Sequence, residues 1–216
     1  TGINANDQAS VDAAVRNAIV SNETLLYSNH LVLWDSYMNT FYEAYRIFFT
    51  FDETCCGLLP NPSEIVLHIR NFVVEMPKRG VNKGYEEVTP NVLVHHALAH
   101  FETRNIALVS RSASDLDPYV TALQDAGWNV RIIVNQTAVQ DFCFLKHADT
   151  LIGIARSTFF WWAAVLSDAN VYAYSIDSPA KREYAKLHNA SVVESYNFTN
   201  GMEQRFHFPL YRSIDD

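Results

Sequence analysis

His68 and Arg70 stand two residues apart at the end of a short apolar run, Glu64 to Ile69. In a strand that spacing puts both side chains on one side, at the carboxyl edge. A guanidinium there is a planar, permanently charged fork suited to a phosphate. A His two residues earlier can hold a base or a ribose. The same pair also reads as a buried His and a surface Arg capping a sheet. A second centre is Ser157 and Thr158, which open the helix-spaced apolar stretch Phe159 to Leu166. Either hydroxyl is a natural N-cap. The free N–H groups and the positive end of the helix dipole would make an anion site out of backbone. A plain capped core helix has the same pattern. A third segment, Ser110 to Asp115, brings hydroxyls and Arg111. These could line the same cleft, or Ser114 or Asp115 could simply cap a helix.

Other chemistry is weaker. His96 and His100 lie one helical turn apart, which suits zinc, but no third ligand is evident and no metal is expected. Glu75, Glu86 and Glu87 follow Arg70 and could supply a carboxylate pair, without a specific spacing. The glycine patterns of dinucleotide and P-loop sites are missing, as is the nucleophile elbow of the hydrolases. Three cysteines, Cys55, Cys56 and Cys143, make neither a disulfide framework nor a zinc site. One bridge to Cys143, or none, is the expected range.

These residues need strands to carry them to one edge. Short apolar runs recur at 64–69, 105–110, 129–134, 150–154 and 170–174. Helix-spaced stretches separate them at 92–101, 115–125, 139–147 and 157–166. Strands alternating with helices of about ten residues mean β-α-β units and a parallel sheet. Ligands of such a sheet bind beyond the carboxyl ends of the strands, where all three centres fall. Residues 1–63 read as a helical segment, with Leu31 to Trp34 as a short strand and a Pro- and Gly-rich joint at 55–63. Residues 64–216 read as the nucleotide-binding domain, and Phe206 to Tyr211 is expected to fold back onto it.

Composition bounds the class. The 216 residues hold 49% apolar and 13% aromatic side chains, enough for a sizeable core. A net charge of −8 argues against a nucleic-acid partner recruited by a general basic field. The longest apolar stretch, Leu151 to Leu166, contains Arg156, so no membrane span is expected. The chain opens at Thr1 with no Met, as expected of an excised fragment or of a chain whose beginning lies elsewhere. Four Asn-x-Ser/Thr sequons, at Asn22, Asn135, Asn189 and Asn197, tilt toward a secretory-pathway lumen.

Together, the strand ending His-x-Arg, the Ser-rich segment after a middle strand, and Ser157-Thr-Phe-Phe-Trp-Trp-Ala-Ala164 resemble the donor half of GT-B fucosyltransferases. The relevant superfamily is the α1,2-, α1,6- and protein O-fucosyltransferases, and the resemblance covers about residues 64–178. It implies a doubly wound, Rossmann-like α/β domain, the C-terminal half of a GT-B enzyme. It further implies a GDP-fucose donor, inversion at the anomeric carbon, no metal or other cofactor, and a glycan or glycoprotein acceptor, in the Golgi. By the same resemblance Arg70 would hold the diphosphate and His68 would contact the nucleotide. Ser110 would line the donor site, Ser157 and Thr158 would bind phosphate, and Asp141 would read guanine. Glu75 would orient the acceptor hydroxyl. The family's second Arg after His-x-Arg is replaced here by Asn71. A complete GT-B enzyme has two Rossmann-like domains and this chain has length for one. The alternative is a degenerate transferase domain that binds nucleotide or glycan without turnover.

Overall fold

The computed structural model describes residues 53–70, 90–154, 157–177, 205–207 and 210–212. The expected helices and strand of 1–50 lie outside them, as do Glu75, Glu86, Glu87 and Arg156. Among the described residues, seven strands form one parallel sheet: β1 (Ile65–His68), β2 (Asn105–Val109), β3 (Asn129–Ile133), β4 (Thr150–Ile154), β5 (Asn170–Asp177), β6 (Phe206–His207) and β7 (Leu210–Arg212). Helix α1, residues 90–100, follows β1 and passes from α to π to 3-10 geometry. Regular helices follow β2, β3 and β4: α2 (Asp117–Asp125), α3 (Ala138–Lys146) and α4 (Thr158–Leu166).

The strand order is β3-β2-β1-β4-β5-β6, and β7 pairs further along β5. All pairings are parallel. This is the order of a doubly wound, Rossmann-like α/β domain. The expected five-strand pattern is present with its predicted bounds shifted by a residue or two. β5 is longer than expected, and the C-terminal tail returns as β6 and β7.

The inner strands are apolar throughout because the sheet is covered on both faces. Val66, Val109 and Leu151 pack with Phe144 of α3 and Phe160 and Val165 of α4 on one face. Ile65, Leu67, Ile106, Leu108 and Ile152 pack with Leu93 and Leu98 of α1 and Leu123 of α2 on the other. α2 ends where Gly127 takes φ +81°, with Trp128 N–H donating to Leu123 O and Gly127 N–H to Gln124 O. That is a Schellman closure, and it turns the chain directly into β3.

The turn-rich joint is fastened to this domain. Cys56 is bridged to Cys143 of α3, with Cα atoms 5.5 Å apart, and Cys55 is free and exposed. Arg131 of β3 binds the buried Glu64 carboxylate through both Nε and Nη2, and also donates from Nη2 to Leu59 O at 3.0 Å. Among the described residues no helix is long and apolar enough to cross a membrane.

Candidate functional site

The strand order reverses between β1 and β4. The helix after β1 lies on one face and the helix after β4 on the other, so the two chains diverge at their carboxyl ends. A crevice at that point is where doubly wound sheets bind ligands. Here a small recess straddles it, lined by His68, Ile69, Leu93, Tyr119, Ile154 and Tyr174.

His68 is the last residue of β1, paired with Val109 on one side and Gly153 on the other. Its side chain is 7% exposed, and Nδ1 has no hydrogen-bond partner. Burial, and secondarily the charge of Arg70, push its pKa down from 6.5 to about 3. At neutral pH the ring is therefore an uncharged imidazole. It can donate or accept one hydrogen bond at Nδ1 but cannot be a cationic phosphate ligand. The fixed positive charge beside it belongs to Arg70.

Ser110 lies one residue beyond Val109, the register partner of His68. It is 3% exposed and its Oγ also lacks a partner. Among the described residues these two are the only buried side-chain nitrogen or oxygen atoms so placed. A buried polar group left unpaired costs about 1–3 kcal/mol. Both orphans lie at the carboxyl ends of their strands, and His68 also lines the recess.

The helix start after β4 is built as expected, but the two hydroxyls divide the work. Ser157 is the N-cap of α4, fully buried, and its Oγ accepts from Phe160 N–H at 3.3 Å. Its side chain is thus engaged within the helix, while Thr158 is exposed. α4 sits close on the sheet because β4 has glycine at 153: a Cβ there would lie 2.3 Å from the Phe160 ring.

Asp141 lies in the first turn of α3, at the carboxyl end of β3, and accepts from Gln136 Nε2 at 3.3 Å. Burial raises its pKa above the usual 3.8, and the Gln136 bond offsets part of that rise. Thr137 and Gln140 form a capping box that holds this turn.

Two aromatic residues missed from the sequence connect these positions. The Phe159 ring lies 5.6 Å from His68 and 5.6 Å from Phe142, which follows Asp141 in α3. Both phenylalanines look like helix-core residues in a one-dimensional pattern. Their edge position follows only from the packing of α3 on α4. The segment after β2 also differs from expectation. Neither Ser114 nor Asp115 caps α2; a 3-10 turn, Ala113–Asp115, intervenes and Leu116 holds the cap position. Ser112 and Ser114 share a 2.8 Å hydroxyl hydrogen bond.

Comparison with protein-family models, curated proteins and solved structures finds no match.

Proposed function

We propose that this domain binds the nucleoside diphosphate of a sugar donor in the crevice between β1 and β4, as the donor half of an inverting glycosyltransferase. The observation that carries this reading is the pair of unpartnered buried atoms, His68 Nδ1 and Ser110 Oγ, at the carboxyl ends of β1 and β2. The donor is GDP-fucose and the acceptor a glycan or protein hydroxyl. That finer assignment rests on the resemblance of the His-x-Arg strand end and the Ser-Thr-Phe-Phe-Trp-Trp helix to fucosyltransferases.

In this reading the neutral His68 bonds the nucleoside, and Arg70 with the α4 N-terminus holds the diphosphate. The acceptor oxygen attacks the anomeric carbon as the bond to the β-phosphate oxygen breaks. Negative charge grows on the leaving diphosphate, and preorganised positive groups lower that barrier most. The oxocarbenium-like sugar makes a strong base unnecessary, and the proton of the acceptor hydroxyl passes to solvent as the new bond forms. Glu75 orients the acceptor hydroxyl. Asp141 accepts from the guanine edge, for which it must be ionised despite its raised pKa. The Cys56–Cys143 bridge supports a secretory-lumen setting, where disulfides persist.

Thermal unfolding with GDP, UDP and ADP tests the reading. At one hundred times Kd a ligand specific to the folded state adds about 2.7 kcal/mol. In a chain of this size that raises the midpoint by roughly 5–10 °C. GDP alone is expected to do so. No shift with any of the three would defeat it. Transfer or slow hydrolysis of GDP-fucose then separates an active transferase from a binding domain.

A further inference from the structure

Cys56 Sγ, Cys143 Sγ and His147 Nδ1 lie within 4.8 Å of one another, beside the site of the bridge. Cys143 and His147 are four residues apart at the C-terminal end of α3, so helix geometry alone keeps them on one face. His147 Nδ1 is 3.5 Å from Cys143 Sγ and 2.9 Å from Cys143 O. On its far side, Nε2 is 3.4 Å from Glu53 Oε1. Lys146 Nζ is 3.9 Å from the same carboxylate oxygen. A carboxylate on the outer nitrogen of an imidazole is the arrangement that orients a ligating histidine and raises its basicity.

We infer that, when the bridge is opened, Cys56, Cys143 and His147 bind one Zn²⁺-class ion. Two thiolates and one imidazole are a borderline-soft tetrahedral donor set. The fourth position is left to solvent. Opening the bridge needs a reductant. A phosphine takes the oxygen of one water, and the two sulfurs each leave as a thiol. Metal binding then releases one proton from each thiol, and Nδ1 gives up its contact with Cys143 O and ligates as the unprotonated nitrogen, the single ring proton being carried on Nε2 toward Glu53. Bridge and ion are alternative clasps for one joint. Each fastens the chain before β1 to the helix that begins beside Asp141. This inference is independent of any nucleotide chemistry.

The test uses the whole chain, reduced anaerobically with a water-soluble phosphine, with Co²⁺ as the probe. One Co²⁺ per chain is expected, with thiolate-to-cobalt charge-transfer absorption and the intense visible bands of tetrahedral cobalt. The unreduced chain should give none of these bands. His147→Ala should weaken binding by more than tenfold and Glu53→Gln by about tenfold. Cys55→Ser should leave the spectrum unchanged. Circular dichroism follows the fold throughout. If reduction loosens the chain, Co²⁺ should restore it. The inference is overturned if the reduced chain gives no thiolate bands and no recovery of fold. Equal binding by His147→Ala, or loss of the bands in Cys55→Ser, overturns it too.

Discussion

Gly153 of β4 and Phe160 of α4 touch so closely that any side chain at 153 would meet the ring, at 2.3 Å for a bare Cβ. Phe160 is fully buried and cannot swing into solvent. The contact sets how near the α4 N-terminus comes to the end of β4. Gly153→Ala should destabilise the domain by about 1–3 kcal/mol, the range for overpacking a core. Denaturant unfolding measures this. Pairing it with Phe160→Leu should recover part of the loss, because contacting residues are not additive.

His68 should leave a signature in the pH dependence of stability. Its pKa falls from 6.5 to about 3 on folding, mainly through burial. The unfolded chain therefore takes up a proton that the folded chain refuses. The stability is fully present above pH 6.5 and is lost as pH falls toward about 3. The slope approaches about 1.4 kcal/mol per pH unit for one proton. His68→Phe keeps a ring against Phe159 and should remove this component. An unchanged slope in urea titrations across that window would contradict the burial of a neutral ring.

Ser110 separates stability from binding. Its hydroxyl is buried and unpartnered, so Ser110→Ala removes an uncompensated polar group. The free chain should gain about 1 kcal/mol, while its midpoint shift with GDP should shrink. A free chain destabilised by the substitution would mean that the hydroxyl already has an internal role.

Asp141 behaves oppositely to a salt-bridged carboxylate. Burial raises its folded pKa above 3.8. Folding therefore disfavours its ionised form relative to the unfolded chain. Its contribution is therefore fully present below the unfolded pKa and lost as pH rises through the folded pKa. Asp141→Asn should raise the midpoint at pH 7 relative to the parent and flatten that part of the profile. If the side chain reads guanine, the same variant should lose its preference for GDP over ADP in the thermal assay.

Much of the architecture is legible in one dimension. Runs such as Ile65 to His68 and Thr150 to Ile154 are short, apolar and spaced by helix-length segments. Only a covered parallel sheet buries such runs on both faces. Gly127 stops a helix because its backbone takes a positive φ that other residues resist. The placement of His68, Ser110 and the Ser157 cap at strand ends follows from the same alternation. The cluster of Cys56, Cys143 and His147 has no such local signal, because Cys56 is 87 residues away from Cys143.

What the sequence determined by itself, then, is the set of elements and which residues end each strand. Hydrophobic period and turn chemistry are local, and they act within a few residues. The tertiary structure alone decided that β4 inserts beside β1, which makes the reversal point and brings His68 next to Gly153. It also chose Cys56 over Cys55 for the bridge, put Phe159 against both His68 and Phe142, and left two buried polar atoms unpaired. Those outcomes depend on strand order and helix docking. They are set by long-range packing and burial, which no local pattern encodes.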